Sequence, residues 1–241
     1  MFPIADTIPS SRVPLMNYFL ILLNTIIFFF EIILPDDALE LFFFHFGLVP
    51  ARYTNFEFAI ETGLNPNNYF PFFTNMFLHS GWAHIIGNMW TLYIFGDNVE
   101  DKMGPWKYLL FYILCGLSAS LTHYYINPDS TIPAVGASGA ISGVMGAYML
   151  LFPRSRIIFL FVLFFFIDFI QIPAFIYLLF WFLGQLMSGT VSLFVLPQNV
   201  GGIAFWAHIG GFVGGILIYK FFIQSKRKRN WEEVEYEIID D

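Results

Sequence analysis

The chain has 241 residues, of which 57% are hydrophobic and 12% are charged, and phenylalanine alone occurs 32 times. The mean hydropathy is +0.66, and the formal net charge is -7 at pH 7. These values exclude an ordinary soluble domain, and the acidic balance gives no sign of nucleic-acid binding. The composition predicts an integral, multi-pass membrane protein.

Apolar runs long enough to cross about 30 Å of hydrocarbon recur along the chain. The six predicted spans are Leu15 to Leu34, Trp82 to Phe95, Trp106 to Ile126, Pro133 to Phe152, Ile172 to Met187 and Gly201 to Ile223. They predict an all-α polytopic bundle of six transmembrane helices. Residues 1-14 form an N-terminal lead, residues 15-223 the membrane domain, and residues 224-241 a charged tail.

The basic residues predict which side of the membrane each loop faces, because Lys and Arg near span ends are retained in the cytoplasm. With both termini cytoplasmic, ten of the 11 Lys and Arg residues fall inside, and only Arg52 falls outside. The outer loops are then Pro35 to Gly81, Asn127 to Ile132 and Ser188 to Val200. We expect the basic cluster Lys226 to Arg229 in the tail to bind anionic lipid headgroups.

The stretch from Ile157 to Ser188 is too long for one span, and three residues near its middle interrupt it: Asp168, Gln171 and Pro173. We expect Ile157 to Ile167 to lie at the cytoplasmic interface. The fifth crossing then begins near Gln171, with the proline in its first turn, where proline is tolerated. A structural role for Asp168 near the inner surface is favoured over a functional one.

The single cysteine, Cys115, lies in the middle of the third span. One cysteine allows neither a disulfide framework nor metal-type cysteine spacing, so a buried structural thiol is favoured over a nucleophile. The chain also lacks the His-Glu-x-x-His motif of zinc proteases. No metal and no cofactor are expected.

Ser138 in the fourth span and His208 in the sixth are candidates for a nucleophile and its base. A hydroxyl needs a base to attack an amide, and a titratable imidazole is costly in hydrocarbon. Ser138 lies five residues after Pro133 and His208 nine after Asn199, so both are expected about 10 Å below the outer boundary. Ser142, one turn deeper, is the alternative nucleophile.

Small residues on the same two spans predict that their helices touch. The fourth span carries Gly136, Gly139 and Gly143, and the sixth carries Gly211 and Gly215. Helices in lipid associate by close backbone approach, which such small-xxx-small pairs allow. This packing would bring the serine and the histidine together.

The second span supplies candidate donors for an oxyanion. His84 and Asn88 are spaced i, i+4 and so share one helix face, with the amide as the best donor. His79 is expected to hold the first outer loop. Asp168 falls near the opposite membrane face from His208, so we predict a dyad and not a Ser-His-Asp triad.

At these residues the chain resembles the rhomboid family of intramembrane serine proteases over most of its length. The motifs are Gly136-Ala137-Ser138-Gly139, Ala207-His208-Ile209-Gly210-Gly211 with Gly215, Phe77 to Asn88, Phe46 to Arg52 and Gly96 to Asp101. The resemblance implies a six-helix rhomboid-like bundle in which Ser138 is the nucleophile and His208 the general base. It further implies that Asn88, the Ser138 backbone amide and His84 stabilise the oxyanion.

The resemblance also implies the kind of partner. Substrates would be transmembrane-helix proteins that enter beside the fifth helix from the bilayer and are cut near the outer face. We expect the protein itself in the inner membrane of a prokaryotic cell. Some members carry Trp-Arg where this chain has Phe70-Pro71, and an aromatic residue where it has Ser142. How His208 is oriented, and the oligomeric state, are left open. A non-catalytic rhomboid-like binder of transmembrane helices is the alternative, disfavoured because Ser138 and His208 are both present.

Overall fold

The structure is a computed structural model that describes residues 2–163, 166–195 and 204–224. In this part of the chain the helices are, in order, α1 (Leu15–Glu31), α2 (Asp36–Phe46), α3 (Ala51–Thr54), α4 (Phe56–Glu61), α5 (Pro71–Thr74), α6 (Trp82–Met103), α7 (Pro105–Ile126), α8 (Ser138–Leu151), α9 (Ala174–Val195) and α10 (Phe205–Phe222). A 3-10 turn, Asn75–Phe77, follows α5. The strands are β1 (Phe2–Asp6), β2 (Arg156–Leu163) and β3 (Phe166–Pro173). The fold is therefore mostly helical.

Six longer helices, α1 and α6 to α10, lie at the positions of the six predicted spans. Among the described residues, α7, α9 and α10 are long and apolar enough to cross a membrane, and α1 and α8 are apolar but shorter. The helix α6 has 22 residues, and its last two turns carry Asp97, Asn98 and Glu100. These polar groups lower its hydropathy, and Asn98 and Glu100 are buried against other elements.

The prediction of an all-α fold is wrong, because the three strands form an antiparallel sheet in the order β1-β2-β3. Part of the N-terminal lead forms β1, in which Phe2 pairs with Leu160. Of the run from 157 to 167, the residues that the structure describes lie in β2 and β3, and their place at the interface stays a prediction. The run is rich in Ile, Val and Phe, which favour strands. Asp168 is exposed on β3.

The bounds of two predicted spans are also corrected. The residues from Pro133 to Ala137 are not part of α8: Ala134 bridges Leu48 in the first loop, and Gly136 has a positive φ of 135°. The helix α9 begins directly after Pro173 and continues to Val195, past the predicted loop start. The rest of that predicted loop, the start of the sixth span and the tail after residue 224 lie outside the described residues.

Arg12, just before α1, and Gln224, just after α10, lie at one end of the bundle. The Gln224 backbone amide donates to the Lys102 carbonyl (2.9 Å), and the Arg12 guanidinium donates to the Gln224 side chain (3.4 Å). The Glu100 carboxylate accepts from the backbone amide of Asn17 (2.7 Å) in the first turn of α1, where the helix leaves its N–H groups unpaired. The starts of α6 and α10 are therefore at the opposite end.

Glycine contacts join α8 and α10 at the centre of the fold. A Cβ atom added to Gly211 would overlap the Gly139 carbonyl, and one added to Gly215 would overlap the backbone of Gly143. All residues of α8 from Gly139 to Met149 are buried. The absence of side chains at these positions is what lets the two backbones meet.

Candidate active site

Ser138 and His208 lie side by side at the end of the bundle where α8 and α10 begin. Ser138 is the first residue of α8, and His208 lies in the first turn of α10. The distance from Ser138 Oγ to His208 Nε2 is 2.8 Å. This is hydrogen-bond distance between a hydroxyl and a ring nitrogen that could take its proton.

The opposite nitrogen of the same ring contacts α9. His208 Nδ1 lies 2.7 Å from Gln185 Oε1. Trp181 precedes Gln185 by one turn of α9, and the centroid of its ring lies 6.1 Å from that of the His208 imidazole. Neither residue was predicted from the sequence. A polar residue within an apolar span is a signal that could have singled out Gln185.

Asn88 lies on α6 with an unused donor. The residue is buried, it lines the same cavity as Ser138, and its Nδ2 has no hydrogen-bond partner among the described residues. A buried amide without a partner is costly in a folded protein, and a donor aimed into a cavity can serve a ligand.

His84 is held so that one nitrogen is free to donate. The Ser80 backbone N–H (3.4 Å) and hydroxyl (3.1 Å) are both near His84 Nδ1. Because the amide can only donate, Nδ1 of the neutral ring accepts and Nε2 carries the proton. A Cβ atom on Gly136 would lie 2.7 Å from His84 Nε2 and 3.5 Å from Ser138 Oγ, so the glycine keeps open the space between them.

These residues surround a cavity of about 970 Å³. Its lining includes Ser138, His208, Asn88 and His84, together with Tyr177 and Trp181 of α9. His123 of α7 also lines it. Among the described residues, no group of three or more His, Cys, Asp or Glu side chains is placed to hold a metal ion.

The other candidates from the sequence lie elsewhere or are engaged. Ser142 is buried, and its hydroxyl donates to the Ser138 carbonyl (2.6 Å). The His79 backbone amide donates to the buried carboxylate of Glu31 (3.2 Å), which ties the first loop to α1. Cys115 is buried against Gly143.

The arrangement combines a hydroxyl with a base, a free amide donor and a helix N-terminus in one cavity. The Ser138 backbone N–H is among the first four of α8, which have no partner inside the helix. Donors of this kind stabilise the oxyanion formed in acyl transfer. An arrangement of this kind can carry out nucleophilic attack on a carbonyl carbon.

A family model described as the rhomboid domain matches residues 66–225, which include α6 to α10 and every residue of this site. The match covers more than half of the chain. The chain belongs to the rhomboid family. The expected resemblance is confirmed, and the apolar helices together with the domain make it an integral membrane protein.

Named relatives come from several kingdoms. Rhomboid-like protein 11, chloroplastic, of Arabidopsis thaliana is 35% identical over 82 residues, which are 34% of this chain and 29% of that protein. Rhomboid protease GluP of Bacillus subtilis (strain 168) is 30% identical over 129 residues, 51% of this chain and 25% of that protein. Rhomboid-like protease 5 of Toxoplasma gondii is 32% identical over 169 residues, 66% of this chain and 17% of that protein.

The chain thus spans less than a third of the length of each of these relatives. Two of the three carry the word protease in their names. Membership of the family therefore rests on the match to the rhomboid domain.

Proposed function

We propose that this rhomboid-family protein is an intramembrane serine endopeptidase that cleaves transmembrane segments with a Ser138-His208 dyad. The observation that carries the proposal is the 2.8 Å contact between Ser138 Oγ and His208 Nε2. The protease names of two relatives add support.

In the proposed mechanism, Ser138 Oγ attacks the carbonyl carbon of the scissile peptide while His208 Nε2 accepts the hydroxyl proton. The negative charge that develops on the carbonyl oxygen is stabilised by Asn88 Nδ2, the Ser138 backbone N–H and His84 Nε2. His208 then donates its proton to the leaving amine as the C–N bond breaks. Water hydrolyses the acyl-enzyme by the same steps.

The proposed substrates are membrane proteins with a transmembrane helix, cut near the outer face. A helix hides its carbonyl groups in backbone hydrogen bonds, so the segment at Ser138 must unwind before attack. We expect a small residue before the cleaved bond and helix-weakening residues after it.

The proposed topology has six crossings with both termini cytoplasmic, in the inner membrane of a prokaryotic cell. The meeting of Arg12, Lys102 and Gln224 at the end opposite Ser138 supports a common side for both chain ends. With Cys115 replaced by alanine, an impermeant thiol reagent should label a cysteine introduced between Asn127 and Ile132 but not one at Ser225. The reverse pattern would overturn this orientation.

The activity is tested with a fluorophosphonate probe and a panel of single-span proteins, using the purified chain in nanodiscs. We expect labelling and cleavage, both lost in Ser138→Ala and both kept in the matched variant Ser142→Ala. A folded chain that binds transmembrane helices but neither labels nor cleaves would instead be the non-catalytic binder.

A further inference from the structure

We infer that Gln185 is the positioning residue that sets the orientation and tautomer of His208. This role rests on the proposed function, because it acts through the base of the dyad. It supplies the third element that the dyad lacks, and it comes from α9, an element outside the two helices that carry the dyad.

The geometry leaves each imidazole nitrogen one partner. His208 Nε2 faces Ser138 Oγ at 2.8 Å, and Nδ1 faces Gln185 Oε1 at 2.7 Å. An amide oxygen only accepts hydrogen bonds, so Nδ1 must carry the proton. The neutral ring then keeps its lone pair on Nε2, where a general base for Ser138 needs it.

The opposite tautomer would be inactive as a base. With the proton on Nε2, the imidazole would donate to Ser138 Oγ and could not accept the hydroxyl proton. In serine proteases with a triad, a buried aspartate excludes this tautomer. Here the amide of Gln185 does the same without a charge.

A neutral partner suits this location for a physical reason. An ionised carboxylate inside a membrane domain is costly, whereas an amide brings an oriented dipole. When His208 takes the proton from Ser138, its positive ring still donates from Nδ1 to the Gln185 oxygen. The amide dipole therefore favours the imidazolium as well as the productive tautomer.

The same face of α9 restrains the ring sterically. Trp181 precedes Gln185 by four residues, so both side chains lie on one helix face, and its ring lies against His208. Some rhomboids have an aromatic side chain at the position of Ser142 on α8, and this chain has a serine there. Trp181 and Gln185 together thus answer how His208 is oriented.

The test compares Gln185→Leu, which removes the acceptor at similar volume, with Gln185→Glu, which keeps an acceptor oxygen at the same reach. Thr190→Val is the control, because Thr190 is exposed on α9 and, among the described residues, its hydroxyl bonds only to the Leu186 carbonyl of its own helix. Steady-state cleavage in nanodiscs gives kcat and KM. Nitrogen-15 NMR of the histidine rings, assigned by comparison with His208→Ala, gives the tautomer.

We expect Gln185→Leu to lower kcat by roughly 10- to 100-fold with KM unchanged. The loss is partial because His208 remains, and it is a part of the rate enhancement that a general base contributes. The His208 ring should carry its proton on Nδ1 in the wild type and in Gln185→Glu, and on Nε2 in Gln185→Leu. Thr190→Val should retain kcat within a few-fold, and Gln185→Glu should be less impaired than Gln185→Leu because it keeps an acceptor oxygen.

Wild-type kcat in Gln185→Leu, or a loss of kcat with an unchanged tautomer, would overturn the inference. If Gln185→Leu does not fold, the spectrum of the wild type still tests the inference. A proton on His208 Nε2 in the wild type would exclude the proposed role of Gln185. If Ser138→Ala cleaves normally, the proposed function fails. If Ser138→Ala is inactive and Gln185→Leu is not impaired, only the role of Gln185 fails.

Discussion

The Ser142 hydroxyl donates a 2.6 Å hydrogen bond to the backbone carbonyl of Ser138, one turn earlier in α8. Its proton is thus directed at a carbonyl group, and the proton of the Ser138 hydroxyl faces His208. The two serines line the same cavity, but in the part of the chain that the structure describes only the Ser138 hydroxyl lies beside a base. This difference separates the proposed nucleophile from its alternative.

Ser138→Ala and His208→Ala should each abolish proteolysis, because attack needs both the hydroxyl and the base. The double variant should be hardly worse than either single one, since residues that act as a unit lose function non-additively. Cleavage of a single-span protein in nanodiscs measures this. Residual activity in Ser138→Ala that disappears when Ser142 is also replaced would identify Ser142 as the nucleophile.

Asn88→Ala should lower turnover by roughly 10- to 1,000-fold, the range for losing one oxyanion donor, with little change in KM. The buried Nδ2 has no partner among the described residues, so its removal breaks no structural hydrogen bond that they show. Thermal unfolding should therefore be nearly unchanged. Wild-type kcat in this variant would exclude Asn88 from the site.

Gly211→Ala should destabilise the protein by about 1–3 kcal/mol, because the added methyl group would overlap the Gly139 carbonyl and force α8 and α10 apart. Gly184→Ala on α9 is the matched control, since a Cβ atom there meets no other atom within 4 Å. The control should be neutral or stabilising by up to about 1 kcal/mol. Equal melting temperatures for the two variants would contradict the packing argument.

The pH dependence of stability should report on Asp6 of β1. Burial raises the pKa of Asp6 from 3.8 to about 6, and the nearby Asp97 adds to the shift, although the Tyr148 hydroxyl, which donates to its carboxylate, opposes it. The folded state thus binds the proton more tightly than the unfolded state. The contribution of Asp6 to the free energy of unfolding is complete below about pH 4 and falls as the pH rises to about 6.

Asp6→Asn stays neutral and should lack this fall. The melting temperature of the variant minus that of the wild type should therefore increase between pH 4 and pH 7. Asn98 donates to the same carboxylate (3.0 Å) and is present in both proteins. A difference that does not vary with pH would show that Asp6 titrates normally.

A cleaved substrate should lose its susceptibility when the residues around the cut are replaced by leucine at constant span length. Leucine strengthens the helix and so opposes the unwinding that exposes the scissile carbonyl. Cleavage and binding should be measured on the same variant. Retained binding with lost cleavage is expected, whereas unchanged cleavage would refute the unwinding step.

The sequence predicted the helices better than their ends. Long apolar runs mark helices in lipid, but the lengths of α6 and α9 depend on contacts that the runs do not contain. Asp97 and Glu100 looked like the end of a span, yet α6 continues through them because Glu100 caps α1. Ser138 and His208 were paired from their spacing to span starts, and both indeed lie at helix starts.

The sheet and the role of Gln185 could not be predicted from apolar runs or from residue spacing. β1 has five residues, and its partners on β2 are more than 150 residues away. The apolar residues of β2 and β3 fit a strand or a buried helix equally well by periodicity alone. Gln185 was not predicted, because its contact with His208 depends on how α9 is rotated against α10, and the sequence marks it only as a polar residue in an apolar span.

Among the described residues, the helix that carries Gln185 is also the least buried of the three helices that are long and apolar enough to cross a membrane. In the apolar window of α9, 17% of the residues are buried, compared with 33% in α7 and in α10. Helices with lipid on most sides change their tilt when hydrocarbon thickness and helix length do not match. We therefore expect the acyl-chain length of the lipids to alter kcat, because a change in the tilt of α9 would move Gln185 and change how His208 faces Ser138. The bilayer would then regulate catalysis as well as surround the protein.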